Sequence, residues 1–479
     1  MSNLKDKAIF SLLWKGGEKF ISQIITLVIS IVLARLLGPE EYGLIALTTV
    51  FISFGFVFVD CGLGTALVQK KEVTNSDMNT IMICNIVIGV ILYGIVFIAA
   101  PFIGMFYNEN RVVPILRVLS LAFVLGAISA IFIAKLSREF KFKQIAVANI
   151  LANTVAGILG ILAAFYGFGA WALVIQQFAI RLLVCIFLGV QSEFKFIFTF
   201  SKKAAAEMLS FAWKITFSRF ISNAYFQLRS LIIGKMYSPV DLAYFNKGEQ
   251  FPAVINTSTD YALQQVMLTV YAKEQSDSVK LKAMMRRSMK LSSFFFFPIM
   301  IGLSAVSKNV VLILLGEKWA PSIPFMQLCC LVYVFYPIGT ANVQAINAMG
   351  RSDITLKTEL YTRIVSSALI IVSAFIGLYQ LAASAVIASF IETIIRATPN
   401  KKLLNYTYRE QIKDIAPQLL CAAIMGILVF TLGYLPVNIY VQLLVQLVVG
   451  VSFYMLLSIC MKNDNVEYLL EILKNIRKK

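Results

Sequence analysis

The chain has 479 residues, of which 59% are hydrophobic and only 14% are charged, and its mean hydropathy is +0.79. A soluble protein carries about a quarter charged residues, so this composition excludes an ordinary soluble enzyme and indicates a polytopic membrane protein. The formal net charge of +18 is compatible with nucleic-acid binding. The positions of the basic residues along the chain test this interpretation.

The N-terminal segment, MSNLKDKAIFSLLWKGGEKF, does not predict a cleaved signal peptide. Its apolar part is short, and Lys15 and Lys19 stand where a small-residue cleavage site would be expected. We therefore expect the first span to be retained in the mature protein.

Stretches of about 20 apolar residues, the length that crosses a bilayer core as a helix, recur along the whole chain. They predict an all-α polytopic membrane protein with spans near 17–37, 43–68, 80–105, 115–134, 144–165, 168–190, 206–234, 241–270, 291–315, 324–349, 354–378, 380–398, 415–434 and 437–461. The eighth of these fourteen spans has the weakest hydropathy because it contains NKGEQ at 246–250.

Lysine and arginine residues gather in every second connection between these spans. The other connections are short and poor in basic residues; they are 38–43, 107–111, 166–169, 316–321, 379–380 and 435–438. Because basic residues collect in cytoplasmic loops, this alternation predicts that both termini are cytoplasmic. The excess of positive charge then has a topological cause, and no nucleic-acid partner is expected.

The four tryptophans all lie at predicted span ends, Trp14 and Trp213 on the cytoplasmic side and Trp171 and Trp319 on the outer side. Tryptophan is enriched at membrane interfaces, so interfacial anchoring is expected for all four. The tail at 463–479 is amphipathic and ends in basic residues, and we expect it to lie along the cytoplasmic leaflet.

The seven cysteines all fall in apolar segments, without a CxxC pair, and the chain has no histidine. Small buried apolar residues are the expected role of these cysteines. The sequence therefore predicts no disulfide framework, no metal site and no cofactor.

An internal repeat with an offset of 200 residues relates the first spans to spans 7 and 8. At this offset the chain pairs Lys19 with Arg219, Phe20 with Phe220, Ile21 with Ile221, Ser22 with Ser222, Ser30 with Ser230, Arg35 with Lys235, Pro39 with Pro239 and Asp60 with Asp260. Six spans separate the two copies, so both copies have the same orientation. We expect two parallel six-helix bundles, at 1–200 and 201–400, around a central cavity, and two additional helices with the tail at 401–479.

Polar side chains follow one face of several predicted spans. On span 1, Lys19 and Gln23 are four residues apart; on span 7, Arg219 and Asn223 are four residues apart, with Arg229 near the outer end. A charge at the membrane centre costs about 2.5–3.5 kcal/mol on insertion scales, so it faces a bundle interior or a water-filled cavity. Spans 1, 2, 7 and 8 are therefore predicted to line one hydrated cavity, in which these five residues bind the substrate.

Lys247 of span 8 is a further candidate for binding the substrate in this cavity. The alternative is that the polar groups pair between helices and only fix the packing, and Lys19 could instead reach the cytoplasmic headgroups. For Glu359 with Arg363, and for Glu392 with Arg396, an ion pair within one helix is favoured because each pair is spaced by four residues.

Three acids are candidates for an ion site or for counter-charges to the cavity cations. Asp60 stands in the otherwise apolar run 56-FVFVDCGLGTALVQ-69, Asp260 is its counterpart in the repeat, and Glu249 lies on span 8. We expect Asp60 and Asp260 to face the cavity. A purely structural pairing remains the alternative.

Several segments resemble Wzx-type lipopolysaccharide and exopolysaccharide flippases of the multidrug/oligosaccharidyl-lipid/polysaccharide exporter superfamily. The resemblance covers nearly the whole chain, and it is carried by 33-LARLLGPEEYGLIALTTVFISFGFVFVDCGLGTALVQKKEVT-74, 138-REFKFKQIAVANI-150, 167-GFGAWALVIQQ-177, 231-LIIGKMYSPVDLAYFNKGEQFP-252, 317-EKWAPSIPFMQ-327, 341-ANVQAINAMGRSD-353 and 399-PNKKLLNY-406. One departure is visible after span 8, where relatives often read like LFPALS and this chain has 267-MLTVYAK-273.

The resemblance implies transport of an undecaprenyl-diphosphate-linked oligosaccharide from the inner to the outer leaflet of a bacterial cytoplasmic membrane. It implies the fold of two six-helix bundles plus two helices, and a cationic cavity that attracts the diphosphate. Lys19, Arg219, Arg229 and Lys247 fit that role by location. A monomer is expected, with membrane lipids and other polysaccharide assembly proteins as further candidate partners.

Two other classes of function compete with this interpretation. An enzyme acting on the same lipid carrier would need a substantial outer loop with catalytic groups, and the outer connections here are a few residues long. An ion-coupled exporter of small cationic drugs would share the fold, but its cavity should be acidic and aromatic. The flippase is therefore the favoured prediction, and the drug exporter is the alternative.

Overall fold

The computed structural model describes residues 21–59, 63–64, 67, 70, 73–194, 196–461, 463 and 465. Within these ranges the chain forms helices joined by short connections, and no strand occurs in them. Two predicted site residues, Lys19 and Asp60, lie outside the described residues. Trp14 and nearly all of the predicted amphipathic tail lie outside them as well.

The helices of the described chain overlap all of the predicted spans. They are α1 (Ile21–Leu36), α2 (Pro39–Val59), α3 (Asn75–Tyr107), α4 (Val112–Ser120), α5 (Ala122–Arg138), α6 (Phe142–Phe165), α7 (Ala170–Ser192), α8 (Lys202–Met236), α9 (Pro239–Lys273), α10 (Ser278–Leu314), α11 (Ile323–Val334), α12 (Tyr336–Ala348), α13 (Ser352–Ala374), α14 (Leu378–Leu403), α15 (Tyr408–Leu432) and α16 (Ile439–Cys460). A 3₁₀ turn, Glu317–Ser322, precedes α11. Two predicted spans are helix pairs, α4 with α5 and α11 with α12.

In the described part of the chain, ten helices are long and apolar enough to cross a membrane, counting each of these pairs once. Of the remaining four helices, α1 is short, and α8, α9 and α13 carry more polar and charged residues. The prediction of an all-α polytopic membrane protein is confirmed, while the number of fourteen spans stays approximate. Three of the four candidate substrate-binding cations, Arg219, Arg229 and Lys247, lie on α8 and α9, which carry more polar residues than the ten apolar spans.

The chain divides into two compact units, Met1–Ala243 and Tyr244–Lys479, and the division falls within α9. The domain limits drawn from the repeat, 1–200, 201–400 and 401–479, stay a prediction. We describe each compact unit by itself and call them the first and second units.

In the first unit, α6 presents a face of small residues to its neighbours. Its buried positions include Ala148, Ala152, Ala156 and Gly160, spaced by four residues along one side of the helix. A Cβ added at Gly160 would lie 2.8 Å from Cβ of Gln176 on α7, so only glycine permits this approach. Small residues that let two backbones come close are a main source of helix packing in membranes.

Two basic residues stabilise the end of the first unit that is predicted to be cytoplasmic. Arg138 donates from Nη1 to the carbonyls of Leu67 and Lys70, at 2.6 Å each. Lys135 donates from Nζ to the carbonyl of Ser192, the last residue of α7, at 2.6 Å. A cation at a helix C-terminus satisfies carbonyls that have no partner within the helix.

The core of the second unit is aromatic and sulfur-rich. Phe294, Phe296 and Phe297 of α10 are buried at 2% exposure or less, together with Met285 and Met289. The last helix joins this core, because Tyr454 of α16 donates its hydroxyl to the carbonyl of Phe294 at 2.8 Å.

The helix α15 is joined to α10 by ion pairs. Arg286 makes a bidentate pair with Asp414, at 2.7 and 2.8 Å, and the Asp414 side chain is 3% exposed. Tyr406 donates its hydroxyl to the same carboxylate at 2.7 Å. The two C-terminal helices, α15 and α16, are therefore packed parts of the second unit.

The repeat offset pairs Pro39 with Pro239, and in the structure a helix begins at each of these prolines. Pro39 opens α2 and Pro239 opens α9. The backbone N–H of Gly38 donates to Glu41 Oε2 at 2.8 Å, and that of Ser238 donates to Asp241 Oδ2 at 3.2 Å. In both copies an acid in the first turn satisfies a backbone donor just before the helix.

Candidate functional site

A cavity of about 440 Å³ lies within the first unit. Its wall is formed by α2, by the junction of α4 and α5, by α7 and by α8. The lining residues are Thr49, Ile52, Ser53, Phe56, Val57, Leu119, Ala122, Gln177, Ile180, Arg181 and Arg219. Among these described residues the only charged side chains are the two arginines, so the described wall is cationic. We call this space the arginine cavity.

Arg181 is held in place by an aromatic contact. Its guanidinium carbon lies 4.2 Å from the centroid of the Phe56 ring, within the range of a cation–π interaction. The Phe56 ring packs edge-on against Phe123 at 5.3 Å and lies over Gly126, where an added Cβ would come 2.8 Å from Phe56 Cε1. The position of Arg181 therefore depends on a packed aromatic pair beneath it.

Arg219 reaches the same cavity because α8 packs on α2. The ring of Phe220 lies between those of Phe54 and Phe58 of α2, at 5.6 and 5.4 Å. Asn223, one turn after Arg219, donates from Nδ2 to Ser53 Oγ at 3.3 Å. The structure thus places Arg219 in the lining and Asn223 at its edge, and both belong to the predicted face of α8.

The hydroxyl groups of α2 give the cavity a polar side. Thr49 Oγ1 donates to the carbonyl of Ile45 and Ser53 Oγ donates to that of Val50, at 2.7 Å each. Because their protons are used within the helix, the two oxygens face the cavity as hydrogen-bond acceptors. Gln177 of α7 adds an amide that can both donate and accept.

Two other predicted residues of the first unit do not line this cavity. Gln23 lies half-buried on α1, and Arg229 lies half-buried on α8, ten residues after Arg219. The described lining contains no residue of α1, so the expectation that span 1 contributes to the cavity rests on Lys19 outside the described residues. The roles of Gln23, Arg229 and Lys19 stay predictions.

Lys247 is buried in the second unit, with 5% of its surface exposed. Its Nζ donates to Gln250 Oε1 at 3.1 Å and lies 5.7 Å from the ring centroid of Trp319. Trp319 itself is fully buried and packs edge-on against Tyr244 at 6.0 Å. The prediction that Trp319 is an interfacial anchor is therefore wrong, because the 3₁₀ turn before α11 buries its ring.

The other predicted anchors differ from Trp319 in exposure. Trp213 is 59% exposed and Trp171 is 39% exposed. Their exposure fits a residue at a membrane interface. Trp171 also borders a second, smaller pocket.

Two acids of α9 that are predicted site residues, Glu249 and Asp260, each accept a hydrogen bond from another helix of the second unit. Glu249 Oε1 accepts from the hydroxyl of Tyr333 on α11 at 2.9 Å. Asp260 Oδ1 accepts from Thr340 of α12 at 2.5 Å, and Oδ2 accepts from Gln264 at 2.6 Å. Asp260 is half-buried and bonded to α12, so it points into protein. The role of these acids as an ion site or as counter-charges stays a prediction, and Asp60 lies outside the described residues.

The ion pairs predicted within α13 and α14 are present, and they extend across the two helices. Glu359 pairs with Arg363 at 3.5 Å, and Glu392 pairs with Arg396 at 3.8 Å. Arg396 also pairs with Glu359 on the other helix at 3.2 Å. Ser366 donates its hydroxyl to Glu392. We call these five residues the α13–α14 ion cluster.

Arg181 is the functional candidate that the sequence did not indicate. It lies on α7, whose predicted span has no other charged residue, and the repeat gave no reason to single it out. A signal was available in the high cost of a charge within a span, which makes any such arginine a functional candidate. Its neighbour Gln177, one turn earlier, would have strengthened the case.

The fold is that of a polytopic α-helical membrane protein, and its first unit holds a cavity lined by two arginines. Residues 32–324 match the model of a family described as polysaccharide biosynthesis protein. This match covers more than half of the chain, so the chain belongs to that family. The resemblance drawn from the sequence motifs is thereby confirmed.

Similar proteins agree with this assignment. The lipopolysaccharide biosynthesis protein WzxC of Escherichia coli K12 is 24% identical over 422 residues, which cover 86% of this chain and 85% of WzxC. A solved structure of the lipid II flippase MurJ, in an inward closed conformation, has a TM-score of 0.76 at 16% identity and covers 95% of this chain and 100% of that chain. An inward-facing multidrug resistance MATE family transporter has a TM-score of 0.62 at 14% identity, over 80% of this chain and 94% of that chain. At these identities the two structures show a shared fold alone.

Proposed function

We propose that this protein is a flippase for an undecaprenyl-diphosphate-linked oligosaccharide in lipopolysaccharide or exopolysaccharide assembly. It moves this lipid across the bacterial cytoplasmic membrane by alternating access. The observation that carries the proposal is the arginine cavity, in which Arg181 and Arg219 meet a polar wall inside a membrane-embedded unit. Its 440 Å³ falls in the range of about 300–1,000 Å³ that holds small-molecule groups.

The chemistry of the two arginines fits a diphosphate. A guanidinium stays charged at every physiological pH and binds phosphate oxygens through two parallel N–H bonds. A doubly anionic group entering a region of low dielectric needs cations within a few ångströms, because the charge is poorly screened there. Arg181 and Arg219 place two guanidinium groups in the wall of this cavity, where both can donate hydrogen bonds to a diphosphate.

The remaining groups fit the sugar that follows the diphosphate. The oxygens of Thr49 and Ser53 accept hydrogen bonds, and Gln177 and Asn223 can both donate and accept. Sugar hydroxyls offer donors and acceptors to such a wall. The polyprenyl chain can remain in the lipid while the diphosphate and the sugars cross through the protein.

The finer features of the proposal follow from the sequence. Both termini are cytoplasmic, and the protein acts as a monomer in the cytoplasmic membrane, alongside other polysaccharide assembly proteins. It is a transporter and not an enzyme, since its relatives carry transport or biosynthesis names and its outer connections are short. Residues 1–200 and 201–400 form the two bundles, and Lys19, Gln23, Arg229 and Lys247 contribute to substrate binding.

A multidrug exporter is the alternative function, supported by the shared fold of MATE transporters. A cationic drug would be repelled by a wall whose described charges are both positive. The arginine cavity therefore favours the anionic lipid carrier over a cationic drug.

Depletion of the protein in its producing strain distinguishes the two functions. We expect the lipid-linked oligosaccharide to accumulate in the membrane and surface polysaccharide to fall, as measured by mass spectrometry of lipid extracts. Complementation with the wild-type chain should remove the accumulated lipid-linked oligosaccharide and restore the surface polysaccharide. A variant with Arg117→Gln serves as a matched control, because Arg117 also lies 4.2 Å from an aromatic ring, that of Phe97, but does not line the arginine cavity.

The proposal predicts that Arg117→Gln complements the depletion and that Arg181→Gln with Arg219→Gln does not, at equal amounts in the membrane. Normal surface polysaccharide together with altered sensitivity to cationic drugs would contradict the flippase and favour the exporter.

A further inference from the structure

A second pocket of the first unit, of about 280 Å³, lies where the starts of three helices converge. Its lining residues come from the first turns of α2, α4 and α7, at Glu40, Glu41, Arg111, Pro114 and Trp171 among others. The connections before these helices, at 38–43, 107–111 and 166–169, are three of the six that the charge pattern predicts to lie on the outer face. We call this space the Trp171 pocket.

An ion-pair network fixes the polar side of the Trp171 pocket. Arg111 Nη2 lies 2.7 Å from Glu40 Oε1 and 2.9 Å from Glu109 Oε2, and its Nε donates to Glu109 Oε1 at 2.9 Å. Among the described residues, these bonds use the Nε and Nη2 groups of Arg111 and one carboxylate oxygen of Glu40. Nη1 of Arg111 and the second oxygen of Glu40 can therefore serve a ligand.

The apolar side of this pocket combines buried walls with a partly exposed indole. Leu44 and Ile115 are buried at 3% and 2% exposure, whereas Trp171 is 39% exposed. An indole offers a large flat face and a single N–H donor. A concave, partly apolar site with a few fixed polar groups is the usual form of a small-molecule site.

We propose that the Trp171 pocket binds one sugar ring of the transported glycan at the outer face. A pyranose ring has an apolar C–H face, which can stack on the indole, and hydroxyl groups around its edge. Carboxylate oxygens accept from these hydroxyls, and the guanidinium donates to them. This inference rests on the proposed function, because the glycan is the ligand that the flippase would bring to this face.

Binding is tested with a protein in which Trp171 is the only tryptophan, after Trp14, Trp213 and Trp319 are replaced by phenylalanine. The probe is the repeat-unit oligosaccharide released by mild acid from lipid extracts of the producing strain. We expect a saturable change in Trp171 fluorescence, which Glu40→Gln weakens by about five-fold through loss of a charged acceptor. If the single-tryptophan protein that retains Glu40 shows no saturable change in fluorescence, the proposal is overturned.

A second test measures transport by proteins that each carry one substitution in the wild-type sequence. It does not depend on whether the single-tryptophan variant folds. In proteoliposomes we expect Trp171→Leu to lower the initial rate of lipid-linked oligosaccharide transport by about five-fold and Trp171→Phe by less than two-fold. Tyr166→Leu is the control, since Tyr166 is a 76% exposed aromatic of the neighbouring connection that does not line the pocket.

Equal rates for Trp171→Leu and Tyr166→Leu would overturn the proposal and make Trp171 an interfacial anchor only. The two proposals fail in different ways. If the wild-type protein transports no lipid-linked oligosaccharide, the flippase fails, whereas fluorescence titration with the free glycan still decides whether the pocket binds sugar.

Discussion

The arginine cavity of the first unit and the α13–α14 ion cluster of the second unit both place two arginines within membrane helices. In the ion cluster, Arg396 lies 3.2 Å from Glu359 and 3.8 Å from Glu392, and its side chain is 18% exposed. In the cavity, Arg181 and Arg219 are exposed, and none of the described lining residues is an acid. The same residue type thus pairs with carboxylates of two helices in one unit and lines a cavity in the other.

The neighbours of a cation in a membrane helix therefore help to distinguish a structural role from a ligand-binding one. An arginine that has a carboxylate on its own helix and on the next can be satisfied wholly within the protein. An arginine that packs on an aromatic ring at the wall of a cavity lies where an anionic ligand can reach it. The comparison therefore predicts transport defects from changes in the cavity and stability defects from changes in the ion cluster.

The largest effect is expected from the double substitution Arg181→Gln with Arg219→Gln. Each hydrogen bond to a charged group contributes about 1.5–3 kcal/mol, so losing two should lower the initial transport rate at least about 100-fold. The measurement is uptake of lipid-linked oligosaccharide by proteoliposomes. The transport rate of the Arg117→Gln control should stay within about two-fold of the wild-type rate. If the double variant is as fast as this control, Arg181 and Arg219 do not bind the substrate.

The second effect is a loss of stability when Glu359 is replaced by glutamine. The change leaves Arg396 and Arg363 with one carboxylate fewer in a partly buried place, which should cost about 2 kcal/mol of unfolding free energy. Denaturation in mixed micelles measures it, with the exposed Lys357→Gln on the same helix as control.

For Glu359→Gln the transport rate per folded molecule should remain near the wild-type value. A large loss of transport without a loss of stability would contradict the comparison, because it would place the α13–α14 ion cluster in the transport pathway.

A smaller effect is expected from Phe56→Leu, which removes the ring beneath Arg181. A cation–π contact at such a site contributes about 0.5–1 kcal/mol, so the transport rate should fall by about three-fold. Phe97→Leu, which removes the ring near Arg117, is the matched control and should leave transport unchanged. Equal effects of the two changes would show that Arg181 does not depend on Phe56 for its position.

The smallest effect concerns the connection at 107–111, outside the membrane. The hydrogen bond from Arg111 holds the pKa of Glu109 below its ordinary value of 4.5. A depressed pKa means that the pair stabilises the fold above the ordinary value and loses this contribution as the pH falls through the folded-state pKa. Because the pair lies near the surface, the contribution should be below about 1 kcal/mol.

Thermal unfolding of wild type and Glu109→Gln, at pH 7 and at pH 3, measures this contribution. The variant should unfold at a slightly lower temperature at pH 7, and the difference should become smaller at pH 3. A difference that grows towards pH 3 would contradict the assigned direction of the pKa shift.

Much of the fold could be predicted from the sequence because membrane helices need long apolar runs and basic residues mark alternate connections. The repeat paired Pro39 with Pro239, and the structure adds that both prolines open a helix whose first-turn acid accepts a backbone hydrogen bond. The four-residue spacing of Arg219 and Asn223 also predicted their common face. These features depend on periodicity, which can be read along one helix at a time.

The rest depended on which helices are neighbours, and periodicity carries no such information. Arg181 could join Arg219 only because α7 and α8 both border α2, and Arg396 could reach Glu359 only because α13 packs on α14. Trp319 was predicted at an interface from its place at a span end, whereas a 3₁₀ turn buries it. In each case the contact joins residues from different elements.

The central claim is tested most directly by reconstituting the purified protein with a labelled lipid-linked oligosaccharide from the producing strain. A glycosidase that cannot cross the membrane cuts only the glycan on its own side. Transport is measured as the change in the fraction of glycan that this enzyme cuts, with and without ion gradients. We expect that the wild-type protein moves the lipid, and that the variant lacking Arg181 and Arg219 leaves it in place, as empty liposomes do. Equal rates in liposomes with and without the wild-type protein, under every gradient, would contradict it.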